Sequence, residues 1–353
     1  MNPDSGSTVH DLIRARDVDA LGLRHQLTSA LARGEVERVR SGIYARAVRR
    51  DEHPAWAVDA HRYRQKVHAV ALAVPGAVFT GFSAIALAGL PIFGRWPDDV
   101  YILSDDGHGS RHHGIVRVGM PRRFRLEASI VDGCAVTSIE HSLIQLCRRG
   151  TLAAALTAVD AAIRVPRTGG VPPLTSLERI REQHESLLPY RGSRRVGEVL
   201  ARATVHSDGV LETIDRLAFE QLGFEAPELQ LRLYLPELQR DAFIDFYWRS
   251  VDAGAEADGR GKYLSGGADA ASIAAAVIAE KDRENAIRRQ LRAFDRWDWA
   301  DTLALAPLEQ RLVRLGVPRT RPRRQTRLIP DPNASAALIL HTPSGIRNRP
   351  AIG

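Results

Sequence analysis

Two short stretches of this chain alternate apolar and polar residues with a period of two, and they constrain its fold more than any other feature. Leu229, Leu231, Leu233 and Leu235 form one stripe; Ala242, Ile244, Phe246 and Trp248 form the next. Successive side chains of a strand point to opposite faces, so each stripe marks a strand, with Asp245 on the face opposite the second stripe. A weaker third strand is expected over Asp252 to Asp258, where Gly254 and the alanines lower the β propensity. Glu256 and Asp258 share one of its faces. If the second and third strands turn at Ser250-Val251, Asp245 lies directly opposite Glu256. Facing carboxylates repel one another. A cation between them removes that cost, and hard oxygen ligands suit Mg²⁺ or Mn²⁺. A slip of one residue would abolish the pairing.

Just beyond, the chain reads Gly259-Arg260-Gly261-Lys262-Tyr263. Of 49 basic residues only Lys66, Lys262 and Lys281 are lysines. Lysine, unlike arginine, can give up its proton and offers a compact charge, so Lys262 is a candidate for chemistry. The other reading is a solvated turn with scattered charges.

At 353 residues there is room for two or three domains, and 44% apolar with 26% charged residues is a soluble, globular composition. No apolar run approaches the ~20 residues of a membrane span, and residues 1–10 lack a signal-peptide pattern. Cys134 and Cys147 are too few for a disulfide framework or a cysteine-based zinc site, so a cytoplasmic protein is expected. Seven arginines against one acid, Asp331, fall in 318–353, so most of the +7 net charge sits in a Pro/Arg-rich tail expected to be disordered.

Val9 to Ala15 is expected to be a short helix, Arg24 to Arg33 a second helix closed by Gly34, and Glu35 to Arg46 a hairpin turning at Ser41-Gly42. Two helices and a basic hairpin are the plan of a winged helix-turn-helix. Its second helix would offer Arg24, His25, Thr28 and Ser29 to base edges or phosphates, and its wing would bring Arg38 and Arg40 to the backbone. Leu27 to Tyr44, with Arg33-Gly34, Arg38-Val39-Arg40 and Gly42-Ile43-Tyr44, resembles the N-terminal domain of abortive-infection type IV antitoxins. The resemblance implies DNA binding through these residues, Arg33 included, and a cognate toxin as a possible partner.

In the middle, His61 to Val74 is expected to be helical. Strands are expected at Val100 to Leu103, Ile115 to Val118 and Ile130 to Val136. Thr137 and Glu140 form a capping-box pattern, and Thr151 starts an alanine-rich helix. The stretch with Ser83-Ala84 before Gly89-Leu90-Pro91 is similar to the domain that follows the winged helix in the same antitoxins, but Gln145 stands where an acid is expected. His108, His112 and His113 are expected to lie in a solvated loop rather than a metal site.

Arg164 to Pro173 is expected to be a linker. Beyond it, helices are expected over Ser176 to Leu188, on to Ala203, and after a Ser207 cap, with Glu212 and Arg216 one turn apart. A long helix is expected over Ala270 to Phe294. Acids on a helix and on the second and third strands, followed by that long helix, resemble a PD-(D/E)xK nuclease of the very-short-patch-repair-like branch. The matching positions are Ser207, Glu212 and Arg216; Gln230; Ile244-Asp245-Phe246 and Trp248; Glu256-x-Asp258-Gly259-Arg260-x-Lys262-Tyr263; Glu280-Lys281-x-Arg283-Glu284; and Arg296-Trp297-x-Trp299-Ala300-Asp301. The resemblance implies divalent-metal phosphodiester cleavage, with Asp245, Glu256 and Glu212 as metal ligands and Asp258 and Lys262 in the catalytic set. Asp258 occupies the place of the family's signature lysine, and residues 291–295 are less apolar than the family's last strand.

The expected protein is multidomain α+β. It has a winged helix over 1–50, an α+β middle domain over 51–165, a linker over 166–175, an α/β nuclease-like domain with a mixed sheet over 176–317, and the basic tail over 318–353. Two functions stay open: a DNA nuclease, and an antitoxin-type regulator whose nuclease-like domain is inactive.

Overall fold

Three sheets organise the chain in the computed structural model, which describes residues 12–48, 55–104, 107–119, 127–167, 170–258 and 270–330. The first is small. Strand β1 (Leu12–Arg14) leads into helices α1 (Ala15–Ala20) and α2 (Arg24–Ala32), followed by the hairpin β2 (Val36–Arg40) and β3 (Ile43–Arg46). The strand order is β1-β3-β2, antiparallel throughout. Leu12 and Ile13 were expected in a helix; instead they pair with Ala45 and Tyr44, so cross-strand pairing overrides a weak local preference. Helix α2 ends as its sequence indicates. Gly34 takes a φ of 70°, its N–H bonds Leu31 O and the next N–H bonds Ala30 O, which satisfies two terminal carbonyls.

The middle of the chain comprises α3 (Ala55–Ala73), β4 (Val78–Phe79), α4 (Phe82–Leu87), β5 (Val100–Leu103), β6 (Ser110–His112), β7 (Ile115–Val118), β8 (Ala128–Val131), β9 (Cys134–Thr137), α5 (Ile139–Arg149) and α6 (Leu152–Ile163). Its six strands run β6-β7-β5-β4-β9-β8. The strand expected over Ile130 to Val136 is in fact a hairpin. Asp132 and Gly133 both have positive φ, the two-residue turn that matches the twist of the strands it joins. The expected Thr137–Glu140 capping box is not formed either. Ser138 caps α5 by accepting from His141 N, while Glu140 turns inward to Thr175 Oγ1 and Arg179.

The remainder runs α7 (Leu177–Leu187), α8 (Ser193–Leu200), α9 (Val210–Leu222), β10 (Glu228–Leu235), β11 (Arg240–Trp248), β12 (Ala253–Ala257), α10 (Ala270–Gln290), β13 (Ala293–Trp297), α11 (Trp299–Ala304) and α12 (Ala306–Leu315). Helices α7 and α8 pack on α5, and α6 packs on α9. The sheet order is β10-β11-β12-β13, with the first three antiparallel and β13 parallel to β12. The expected helix to Phe294 thus stops at Gln290. Residues 293–297 form the last strand, with Phe294 and Trp297 buried. Strand parity held as read: Phe246 faces Ala255, Tyr247 faces Gly254 and Trp248 faces Ala253, the register that sets Asp245 opposite Glu256.

The β11 stripe is buried in full. Phe246 and Trp248 pack with Phe219 of α9 and with Trp297, the Phe246 and Trp297 rings stacking 5.8 Å apart. Ala242 and Ile244 join Ala286 and Ile287 of α10 and Phe294 in a second cluster. Residues 318–330, expected within the disordered tail, instead pack beside α9. Glu225 N bonds Pro318 O, Arg324 N bonds Gln221 O, and Ile329 is buried. Residues 331–353 lie outside the described residues. Among the described residues no helix is long and apolar enough to cross a membrane.

Candidate functional site

Two half-buried carboxylates, Glu212 of α9 and Asp245 of β11, meet beside the C-terminal sheet. Gly209 offers α9 no side-chain cap, and the expected cap Ser207 bonds Thr213 Oγ1 (2.8 Å) and Gly209 O instead. Glu212, in the first turn, takes part of that role by accepting from Asp208 N at 2.9 Å. Its Oε2 also accepts from Gln230 Nε2 at 3.0 Å, and the same nitrogen donates to Asp245 Oδ1 at 3.1 Å. One amide nitrogen therefore holds two carboxylates. Gln230 does this from a φ of 57°, rare for a side-chain-bearing residue and a strain typical of functional positions. Asp245 Oδ2 accepts from Ala257 N at 2.9 Å.

Electrostatics set this pair apart. Burial, reinforced by the neighbouring Asp245 charge, pushes the Glu212 carboxyl up to about 8. Burial raises Asp245 as well, and the Glu256 charge adds to it, against the Ala257 N–H and Gln230 bonds. Arg167, from the expected linker, is a cation that acts on both carboxylates. It lies over the Phe243 ring at 4.8 Å, bonds Gln230 Oε1, pairs with Asp208, and favours ionisation of both carboxylates.

Glu256 has a different environment. It is 6% exposed, and Arg283 donates to its two oxygens at 2.5 and 3.1 Å, with Arg296 at 3.7 Å. Arg296 also reaches Glu280 (2.9 Å), Glu284 (3.5 Å) and Asp258 (3.6 Å). Asp258 and Glu256 thus share one arginine, in keeping with their parity, but Asp258 is only half-buried. Lys262 lies outside the described residues. Arg216, expected one turn from Glu212, is drawn to Asp160 on α6 at 2.8 Å.

Among the described residues no group of three or more His, Cys, Asp or Glu is arranged to hold a metal ion. Glu212 and Asp245 fit a hard divalent cation, being two half-buried, mutually repelling carboxylates joined by one amide. Glu256 does not fit in this arrangement, because Arg283 already neutralises it.

The N-terminal candidates divide in the same way. Arg24 is paired with Asp19 (2.6 and 2.8 Å) and Arg33 with Glu35 (2.7 and 2.9 Å). Arg40 donates to His113 O at 3.2 Å, which docks the hairpin on the turn before β7. His25, Thr28 and Arg38 are exposed, and Ser29 is half-buried. Glu37 binds Arg62 of α3 through two bonds, fastening this module to the rest. His108, His112 and His113 are exposed, with His112 in β6 rather than in a loop. Both cysteines are free and buried.

Sequence reasoning named Gln230, Arg283 and Arg296 only as positions of the resemblance, without a role, and did not single out Arg167. For Gln230 a signal existed: with Leu229 facing Phe246 and Leu231 facing Ile244, it comes level with Asp245. Arg167 gave none, since a linker arginine in an arginine-rich chain carries no pattern. In comparisons with known proteins, no family model matches the chain and no curated protein matches it.

Proposed function

We propose that the chain is a DNA-binding protein whose C-terminal domain performs divalent-metal-dependent phosphodiester cleavage. The observation that carries this reading is the Glu212–Gln230–Asp245 cluster. It sits on a helix, three antiparallel strands, a helix and a parallel fourth strand, the order that a PD-(D/E)xK resemblance implies. Glu212 and Asp245 would hold Mg²⁺ or Mn²⁺. Such an ion, when bound, lowers the pKa of its water and stabilises charge developing on a phosphate. Gln230 orients both carboxylates, Ala257 N–H fixes the second oxygen of Asp245, and Glu212 can carry a proton near neutral pH. Strand β1, α1, α2 and the β2–β3 hairpin support a winged-helix reading of the N-terminal module, with His25, Thr28 and Arg38 as its exposed contacts.

A second reading rests on the Arg283–Glu256 pair. With Glu256 neutralised and Asp258 at the lysine's place, the domain would support an antitoxin-type DNA-binding regulator without cutting. Incubation of the full chain with supercoiled plasmid and Mg²⁺ or Mn²⁺, beside Asp245→Asn, separates the two. Nicking lost in the variant supports cleavage; specific binding without nicking supports the regulator.

A further inference from the structure

Away from this sheet, the last turn of α5 carries two arginines whose charge the described residues leave uncancelled. Arg148 and Arg149 are half-buried, and each donates from Nη1 to the same atom, Gln145 Oε1, at 2.9 and 2.5 Å. Gln145 is buried, and its Nε2 lies 3.1 Å from His141 Nε2. Arg148 also donates to Arg191 O at 2.9 Å and lies over the Tyr190 ring at 5.2 Å. Among the described residues neither guanidinium has a carboxylate partner; their acceptors are an amide, a peptide carbonyl and a ring. Several other partly buried arginines here are paired with acids: Arg216 with Asp160, Arg202 with Glu220, Arg283 with Glu256. A helix C-terminus favours basic residues, but that does not account for two guanidiniums aimed at one neutral oxygen. Burial, with the neighbouring Arg148 charge, lowers Arg149 to about 10.

Tyr101 supplies an independent observation. It is 0% exposed on β5, and its hydroxyl has no hydrogen-bond partner among the described residues. An unpaired buried hydroxyl is costly. Its ring lies 5.4 Å from that of Phe82, whose Cζ is 3.4 Å from where a Cβ on Gly150, the residue after Arg149, would sit. The Arg149 charge acts on this hydroxyl, and the acid that also acts on it, Asp99, is held by Arg111 at 2.9 Å. Two guanidinium forks and a hydroxyl make a set of donors short of acceptors. A carboxylate offers two oxygens, whereas a phosphate offers enough to engage all three groups.

We propose that Arg148, Arg149 and Tyr101 form a phosphate-binding site, with Gln145 holding the guanidiniums together without cancelling their charge. The occupant is a phosphate group, from a free phosphate compound or from a nucleic-acid backbone. Glutamate at position 145 would supply the missing negative charge internally and close the site. The site stands apart from Glu212 and Asp245 and holds whether or not that domain cuts DNA.

The test is thermal unfolding of the full chain titrated with inorganic phosphate, against chloride at matched ionic strength. The wild-type midpoint rises saturably. Gln145→Glu unfolds at a higher temperature without phosphate, and its phosphate affinity falls by about ten-fold, as expected when charge-assisted bonds are lost. Arg149→Gln loses the response without that gain. Tyr101→Phe removes only a hydroxyl without a partner, so it folds and still weakens phosphate by roughly five-fold. Duplex-DNA binding distinguishes the sources. A backbone occupant lowers the salt slope by about one in Gln145→Glu; a free phosphate compound leaves DNA binding unchanged while the phosphate response is lost. No response above chloride in the wild type, or an equal response in all variants, overturns the proposal.

Discussion

Arg283 of α10 and Glu256 of β12 form a closed pair, with guanidinium–carboxylate bonds of 2.5 and 3.1 Å. The strand acid that facing registers had set against Asp245 is therefore neutralised from the helix side. What remains charge-frustrated is the Glu212–Asp245 pair, held by one amide nitrogen of Gln230.

Breaking the closed pair leaves a buried carboxylate with, among the described residues, the more distant Arg296. Arg283→Gln is expected to destabilise the chain by about 3 kcal/mol. Added Mg²⁺ is expected to restore part of that loss in the variant and to change the wild type less. Urea denaturation with chelator and with Mg²⁺ measures both.

Stability should fall as pH rises from the ordinary carboxylate range through about 8. Glu212 and Asp215 are both raised to about 8, chiefly by burial, so the folded state holds protons that the unfolded chain has released. Asp215 accepts from Trp297 Nε1 and Thr302 Oγ1, so Asp215→Asn keeps the packing and removes its share of the dependence. Thermal midpoints from pH 5 to about 9 check this, the variant giving the flatter profile.

In the N-terminal module, Arg38→Ala should weaken DNA binding and lower the salt slope by about one, the signature of one phosphate contact. Arg24→Ala should change binding less, because Asp19 already holds that guanidinium. Fluorescence anisotropy on a labelled duplex across salt concentrations compares them.

Gly254→Ala should cost roughly 1–3 kcal/mol, the usual penalty of overpacking a filled core. A Cβ there would sit 2.6 Å from Leu291 Cδ1 and 3.2 Å from Ile244 Cγ2. Chemical denaturation provides the measurement.

What the sequence revealed follows from the kind of signal each element leaves. The period-two stripe of β11 was legible because burial on one face repeats every second residue, and the 246–255 register followed from strand parity. Strand β13 was not legible, since Ala293-Phe294-Asp295-Arg296-Trp297 carries two charges, which Arg311 and the α10 acids satisfy. The Asp132-Gly133 turn lies inside a run of apolar residues, which masks it as a turn in the sequence. Residues 318–330 looked unstructured from composition, yet their backbone bonds α9 and the turn after it at several points. Of the site, Asp245 was legible by strand parity, while Glu212 was named through the resemblance. Arg283 and Arg296 entered only as positions of the resemblance, and a chain so rich in arginine gives no reason to single out Arg167 before its partners are placed.

Plasmid cleavage tests the central claim most directly. The wild-type chain is expected to nick supercoiled DNA with Mg²⁺ or Mn²⁺ and to stop when the ion is chelated, while Asp245→Asn binds DNA equally and does not nick. Nicking that is absent, or equal in both proteins, would contradict a metal-dependent nuclease built on Glu212 and Asp245.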